Sequence, residues 1–228
     1  MACVERQTIG VFSFGRKQSQ RCPEKMTRPF GDTTLTDIML KKLRVLGDNT
    51  FFAGYEQDFA DKCRAHGVPF VQRSRESVMI DGPITEILSF LKELPYEYFL
   101  IVNGCLPFLR VQTIAGFLAQ CCDHNWESAF GVVKRHNFYF DMKRNPLNFP
   151  LSLKTINTKT VEPVYEFAHA LYFFSKDYFF QHGRYWDWQE VHLVELNDKL
   201  ELFDIDTEED FLIAQNMWRD HAGRIFSL

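Results

Sequence analysis

Four cations and a single acid lie within eleven residues near the start of the chain. The stretch, residues 15–25, reads Gly-Arg-Lys-Gln-Ser-Gln-Arg-Cys-Pro-Glu-Lys. Its cations are Arg16, Lys17, Arg21 and Lys25. Binding a triphosphate requires convergent cations together with hydroxyl or backbone donors, and Ser19 adds a hydroxyl to this stretch. The spacing is typical of a phosphate-binding loop, although a solvated basic loop would have the same composition.

Two carboxylates, Asp204 and Asp206, alternate near the other end of the chain in the segment Phe-Asp-Ile-Asp-Thr-Glu-Glu-Asp. In an extended segment, residues two apart point to the same side. Paired carboxylates suit Mg²⁺, which prefers oxygen ligands and binds substrate phosphates at the same time. Thr207 and Asp210 have the spacing of a helix cap. The segment therefore predicts a Mg²⁺ site followed directly by a helix N-terminus.

Two further groups of polar residues follow apolar runs. Arg73 and Ser77 come after a short run that ends at Gln72, and Asn103 and Gly104 come after a longer one. Glycine permits close backbone approach to a ligand, and an asparagine amide can hydrogen-bond a base or a sugar. A surface role for the arginine is the alternative.

The rest of the sequence predicts the elements that position these residues. Strands are predicted over residues 8–14, 50–54, 69–72, 98–103, 128–133, 168–174 and 191–196. Helices are predicted over residues 35–46, 56–66, 83–94, 111–122, 176–182 and 207–218. The alternation in the first half favours a parallel sheet covered by helices, with the strand-to-helix loops along one edge. Residues 134–162 are polar and irregular, which indicates a lid or a subunit contact.

Composition limits the classes of function. The 228 residues carry a net charge of −4, with 46% apolar and 25% charged residues, and we expect one domain over residues 1–228. No basic face or long apolar run indicates a nucleic-acid or membrane partner. The 23 Phe predict a Phe-packed core. The six Cys form no CxxC pair, so we expect free thiols in a reducing cytoplasm.

In this order, these pieces resemble the CMP-sugar synthetases, the cytidylyltransferases that activate sialic, nonulosonic and 3-deoxy-manno-octulosonic acids. Residues 16–25, in the form RxxSxRxPxK, resemble the triphosphate loop of that family, and residues 204–210 resemble its metal motif. Residues 73–77 resemble its cytosine-reading segment, and residues 163–172 resemble the strand beside its sugar pocket. The resemblance covers nearly the whole chain. It implies a three-layer α/β/α sandwich with a mixed, mostly parallel sheet, of the Rossmann-like nucleotide-diphospho-sugar transferase type.

The resemblance also implies an activity. CMP would pass from CTP to an acidic sugar, with Mg²⁺ as cofactor, release of pyrophosphate, and a homodimer in which residues 134–162 reach the partner. The residues implied in catalysis are Lys25, Arg16 and Arg21. The residues implied in CTP binding are Ser19, Arg73, Ser77, Asn103 and Gly104. The implied metal ligands are Asp204 and Asp206.

The acceptor stays open because the sugar side matches no branch of the family. Cys105 or Leu106 stands where the octulosonate branch has a metal-binding Asp. Phe167-Ala168-His169 stands where the sialate branch often has an Asn-Gly pair. The alternatives are the same chemistry on a phosphonate or other non-sugar acid, a nucleotide-sugar glycosyltransferase, and a non-catalytic member of the family.

Overall fold

One sheet of seven strands organises the protein in the computed structural model, which describes residues 5–79 and 82–227. The strands are β1 (Ile9–Phe14), β2 (Thr50–Gly54), β3 (Phe70–Gln72), β4 (Tyr98–Val102), β5 (Ser128–Arg135), β6 (Val164–Ser175) and β7 (His192–Glu195). Their spatial order is β3-β2-β1-β4-β6-β5-β7. β6 runs antiparallel to both of its neighbours, and the other pairs are parallel. The predicted mixed, mostly parallel sheet is confirmed.

Helices cover the sheet and start at residues that suit helix caps. They are α1 (Leu35–Leu46), α2 (Gln57–His66), α3 (Arg75–Met79), α4 (Ile84–Ile87), α5 (Val111–Asp123), α6 (Lys176–His182) and α7 (Glu208–His221), with 3₁₀ turns at Arg6–Thr8, Ser89–Glu93 and Ala222–Arg224. Thr34 caps α1 by accepting a hydrogen bond from the backbone N–H of Asp37 at 3.1 Å. Thr207 and Asp210 form a reciprocal capping box at the start of α7.

Apolar side chains pack on both faces of the sheet, which gives three layers. Along β1, Val11 belongs to the core on the side of α1, α2, α5 and α7, whereas Phe12 belongs to the core on the side of α6. Phe12 stacks on Phe51 with 5.0 Å between ring centroids. Many of the largest fully buried side chains are phenylalanines, so the predicted Phe-packed core is confirmed.

The predicted helix over residues 83–94 is broken. The carbonyl of Ile87 accepts hydrogen bonds from Arg73 Nη2 at 3.3 Å and Ser77 Oγ at 2.8 Å. The N–H of Leu91 bonds instead to the carbonyl of Leu88 at 3.0 Å, so the chain continues as a 3₁₀ turn. Long-range hydrogen bonds have overridden a helical apolar pattern. The structure also adds α3, which apolar spacing did not predict.

The irregular segment of residues 136–163 is organised by its own polar side chains. Asn148 is buried; it accepts from the N–H of Tyr139 at 3.0 Å and donates to the carbonyls of Asn137 at 2.8 Å and Glu162 at 2.6 Å. These hydrogen bonds connect the beginning, the middle and the end of the segment between β5 and β6. β5 and β6 both extend further toward this segment than predicted, and Arg135 pairs with Glu166 across them at 2.9 Å.

Candidate functional site

Two cavities open where β1 and β4 end, and they meet at Phe14, Ile84 and Cys105. The Arg73 cavity, of about 330 Å³, is lined by the loop after β1 and by Arg73. The His169 cavity, of about 500 Å³, is lined by the loop after β4, by β6 and by the segment before α7. Ligands of open α/β sheets bind beyond the carboxyl ends of the strands, as these cavities are placed to do.

The basic loop contributes three of its predicted residues to the Arg73 cavity: Arg16, Ser19 and Lys25. Arg16 donates from Nη1 to the carbonyl of Val78 at 3.4 Å, across the cavity from its own strand. Lys17 turns away and pairs with Asp58 at 2.7 Å. The structure therefore brings two of the four loop cations, Arg16 and Lys25, to this cavity.

The Lys25 side chain is largely buried, with 12% of its surface exposed. Its Nζ donates to the carbonyl of Ile205 and lies 3.8 Å from Asp206 Oδ1. It also lies beside Cys105, whose pKa burial raises to about 11 while the lysine opposes that rise. Lys25 thus lies beside Cys105, where the two cavities meet, and bonds to the segment that carries the carboxylates.

Arg21 lies on the other side of that junction, lining the His169 cavity. Its Nη2 is 2.9 Å from Asp206 Oδ1. Arg28 lies 2.9 Å from Glu208 and stacks over Phe211, with its guanidinium carbon 3.7 Å from the ring centroid. Ion pairs of Arg21 and Arg28 therefore connect the loop after β1 to Asp206 and to Glu208 at the start of α7.

Arg73 is buried, with 3% of its surface exposed, and its donors face protein atoms. It donates to the carbonyl of Ser77 at 2.6 Å, to Ser77 Oγ at 3.0 Å and to the carbonyl of Gly15 at 3.3 Å. Desolvation lowers the pKa of this guanidinium to about 10. Arg73 therefore ties the basic loop, α3 and α4 into one wall, which Ser77 shares.

Asp204 and Asp206 both line the His169 cavity, as their spacing predicts. Asp204 Oδ2 accepts from Asn103 Nδ2 at 3.4 Å, and its Oδ1 is buried without a hydrogen-bond partner among the residues described. Burial, followed by the nearby Asp206, raises the pKa of Asp204. A carboxylate oxygen buried without a donor beside a second carboxylate fits a cation.

A metal there would take much of its coordination from substrate. Within residues 5–79 and 82–227, no group of three or more His, Cys, Asp or Glu side chains could hold a metal ion. Mg²⁺ is commonly bound through one or two carboxylates plus substrate phosphates and waters. Asp204 and Asp206 fit that manner of binding.

The loop after β4 brings the backbone close to both cavities. A Cβ at Gly104 would lie 3.0 Å from Met26 Cε and 3.1 Å from Ser13 Oγ, so a side chain there would push into the loop after β1. Asn103 Oδ1 accepts from the N–H of Cys105 at 2.9 Å, which fixes the turn. Asn103 and Gly104 line the His169 cavity rather than the Arg73 cavity.

Sequence reasoning named no individual residue on the β6 side of the site. His169 and Tyr172 line the His169 cavity together with Tyr185, and His169 Nδ1 lies 2.7 Å from Tyr172 Oη. The signals in the sequence were the resemblance of residues 163–172 to the strand beside a sugar pocket and the departure from that pattern at residues 167–169. Scattered histidines carry no spacing that would have marked this one.

No helix of the described residues is long and apolar enough to cross a membrane. Five of the six cysteines are free thiols, and Cys3 lies outside the described residues.

Solved structures with the same fold include several cytidylyltransferases. CMP:2-keto-3-deoxy-manno-octonic acid synthetase complexed with CTP aligns with a TM-score of 0.69 at 9% identity, over 93% of this chain and 99% of that one. 4-Diphosphocytidyl-2C-methyl-D-erythritol synthase from Anaerococcus prevotii aligns at 0.62 and 13% identity, over 92% and 98%. A cytidylyltransferase from Leptospira borgpetersenii aligns at 0.58 and 14% identity, over 97% and 98%. These similarities confirm the predicted fold.

Sequence comparison assigns the family. No curated protein sequence matches the chain. A sequence profile of the MobA-like NTP transferase domain matches residues 15–181, most of the chain, beginning at the first residue of the basic loop. The chain therefore belongs to the MobA-like NTP transferase domain family, which confirms the predicted enzyme class, a nucleotidyltransferase.

Proposed function

We propose that this protein transfers CMP from CTP to an acidic acceptor and releases pyrophosphate. The observation that carries the proposal is the position of Lys25. Lys25 lines the Arg73 cavity, and its ammonium lies 3.8 Å from Asp206, a carboxylate of the His169 cavity. A cation at that junction is placed to stabilise charge where a nucleotide in one cavity meets an acceptor in the other.

CTP would occupy the Arg73 cavity. Arg16, Ser19 and Lys25 would bind its triphosphate, with the guanidinium and ammonium neutralising the departing pyrophosphate. Phe14, Ile84 and Ile87 give the cavity apolar walls for a base. Arg73 would act by holding the wall around cytosine, because its hydrogen bonds go to protein carbonyls, and Ser77 would lie beside the base. The CTP bound to the octonic acid synthetase of similar fold supports the choice of nucleotide.

The acceptor would occupy the His169 cavity. An acceptor oxygen, after any proton it carries has passed to solvent, would attack the α-phosphorus. A new P–O bond would form, and the bond from that phosphorus to the β-phosphate oxygen would break as pyrophosphate leaves. Asn103 and Gly104 would position the acceptor against the nucleotide, and Arg21 would compensate the charge of Asp206. Asp204 and Asp206 would hold Mg²⁺, which supplies Lewis-acid stabilisation of phosphoryl charge when bound. Catalysis is then mostly positioning and charge stabilisation.

Pyrophosphate release tests the proposal. The protein is incubated with CTP, Mg²⁺ and single acceptors from a panel of 2-keto-3-deoxy acids, other sugar acids and phosphonates. We expect release with CTP and at least one acid, and little with ATP, GTP or UTP. Pyrophosphate release with a phosphonate and with no other acceptor would support cytidylyl transfer and identify a phosphonate as the acceptor. Turnover of a nucleotide diphosphate-sugar without pyrophosphate would indicate a glycosyltransferase, and failure to bind CTP would indicate a non-catalytic member.

We also propose a homodimer formed through the segment of residues 136–163. Apolar side chains are exposed along it, and no described part of the chain covers them. Met142 is 101% exposed, Ile156 90% and Leu151 82%. Exposed apolar groups clustered in one segment typically mark a protein interface, and like surfaces pair in a two-fold dimer.

Sedimentation tests the dimer. The double variant Leu151→Asp with Ile156→Asp should sediment as a monomer where the wild type sediments as a dimer. The matched control is Leu212→Asp, an exposed apolar residue on α7, which should leave the dimer intact. A monomeric wild type at micromolar concentration would contradict the proposal. The free thiols suit a reducing compartment, and we place the enzyme in the cytoplasm on that ground.

A further inference from the structure

His169 lies at an irregularity of β6 that turns the strand beside the site. The pairing of β5 with β6 shifts register between Phe130 and Val132, which places His169 in the bulged part of β6. His169 has a φ of 50°, in the left-handed region that disfavours a residue with a Cβ. Bulges and strained residues of this kind occur preferentially next to active sites.

The backbone carbonyl and the ring of His169 are both hydrogen-bonded. Its carbonyl accepts from Asn103 Nδ2 at 2.8 Å, the same amide that donates to Asp204. Its ring Nδ1 lies 2.7 Å from the hydroxyl of Tyr172. The backbone and one ring nitrogen are thereby fixed, and Nε2 is left as the ring's remaining polar atom.

The side-chain donors of the His169 cavity divide into those with protein partners and those without. Arg21 is paired with Asp206, Asn103 donates to His169 and Asp204, and the Tyr172 hydroxyl bonds to the histidine ring. Within residues 5–79 and 82–227, His169 Nε2 and the Tyr185 hydroxyl have no hydrogen-bond partner.

The ring of Tyr185 is also fixed, in this case by packing against other aromatic rings. Its ring packs against Phe174 with 5.2 Å between centroids and against Tyr172 with 5.6 Å. A rigid aromatic ring with an unpaired hydroxyl at a cavity wall is suited to binding a polar ligand group.

We propose that the Tyr172 hydroxyl donates to His169 Nδ1, which leaves the ring proton on Nε2, and that the Nε2–H and the Tyr185 hydroxyl donate to the acidic group of the acceptor. The acid would then lie at the β6 wall, with the acceptor's nucleophilic oxygen toward Asp204 and the nucleotide. The unpaired donors on this wall are the groups available to an anion, because Arg21 is already paired with Asp206 and Asn103 already donates to His169 and Asp204. The inference rests on the proposed cytidylyl transfer and names the residues that make its acceptor an acid.

Two substitutions suit the backbone at this position. Glycine adopts a positive φ without strain and removes the donor, and asparagine tolerates a positive φ and keeps an N–H donor. His169→Gly should therefore fold, and His169→Asn serves as the conservative variant. The matched control is His124→Gly, an exposed histidine directly after α5 that lines neither cavity.

The experiment measures KM for the best acid found in the panel and for its methyl ester, with CTP saturating. In His169→Gly the KM for the acid should rise about ten- to a hundredfold, the loss expected for a hydrogen bond to a charged group. KM for CTP should stay within twofold. Wild type should prefer acid over ester by at least about tenfold, and His169→Gly should lose that preference. His169→Asn should recover part of it, and Tyr185→Phe should lose part.

Three results would overturn the inference. One is an unchanged KM for the acid in both His169→Gly and Tyr185→Phe. A second is a wild type that turns over acid and ester equally. A third is a wild type that binds CTP but, by calorimetry with CTP present, none of the acids. Failure of the proposed function is distinct from these results, because the wild type would then neither bind CTP nor release pyrophosphate from it.

Discussion

The two cavities differ in how their polar groups are occupied before any ligand binds. In the Arg73 cavity, the central guanidinium donates to the carbonyls of Gly15, Ser77 and Ile87 and to the Ser77 hydroxyl, and the walls are fixed around it. In the His169 cavity, Asp204 Oδ1, His169 Nε2 and the Tyr185 hydroxyl have no partner among the described residues. On the proposed function, the first cavity is a rigid receptor for CTP. The second keeps groups unpaired that only the acceptor would satisfy, which is how a site rejects analogues.

The largest effect is expected at Asp206, which lines the His169 cavity and lies 3.8 Å from Lys25 of the Arg73 cavity. Asp206→Asn removes the negative charge from one of the two proposed metal ligands, which is also the ion-pair partner of Arg21, and it should reduce kcat by about 10³-fold in Mg²⁺. The fold should be unaffected, because the N–H of residue 206 can still donate to Asp210. Steady-state pyrophosphate release measures the effect, with Glu209→Gln on the first turn of α7 as the control. A loss of less than tenfold would remove Asp206 from the mechanism.

Arg73→Met tests whether the Arg73 cavity is a fixed scaffold. The substitution leaves buried carbonyls without a donor, so the free energy of unfolding should fall by about 3 kcal/mol. KM for CTP should rise as the wall loosens. Urea denaturation measures the stability, and the exposed neighbour Arg75→Met should change it by less than about 0.5 kcal/mol. Unchanged stability with a raised KM would instead show that Arg73 contacts the nucleotide directly.

Lys42 should give a smaller effect that depends on pH. Its ammonium is fully buried beneath the loop after β4, which lies close to both cavities. It donates to the carbonyls of Leu106 at 2.8 Å and Pro107 at 2.9 Å. Burial lowers its pKa from 10.5 to about 7, with Glu201 opposing the shift. Between those two values the unfolded chain binds more protons than the native state, so this residue makes stability rise with pH.

The comparison that isolates this effect is between wild type and Lys42→Met. From pH 7 to pH 9, the free energy of unfolding of the wild type should gain up to about 1.4 kcal/mol per pH unit over that of the variant. Urea denaturation at several pH values measures the difference. A constant difference across this range would show that Lys42 keeps its proton when buried.

The basic loop and the Asp204–Asp206 pair could be found in the sequence because their charges are concentrated in short segments. The strands could be found because buried parallel strands are continuous apolar runs. The broken helix over residues 83–94 could not, because Arg73 and Ser77 take the carbonyl that would have continued it. The individual residues that form the His169 cavity could not be found in the sequence either. His169, Asn103 and Asp204 come together only through the antiparallel placement of β6 and its bulge, which no local spacing encodes.

Calorimetric titration of CTP with Mg²⁺ into wild type, Lys25→Met and Lys17→Met tests the central claim most directly. Lys25 lines the Arg73 cavity, whereas Lys17 comes from the same loop and pairs with Asp58 on the outside. We predict that the wild type binds CTP, that Lys25→Met binds it at least about tenfold more weakly, and that Lys17→Met is unchanged. Equal binding by wild type and Lys25→Met, or no binding by the wild type, would contradict the account.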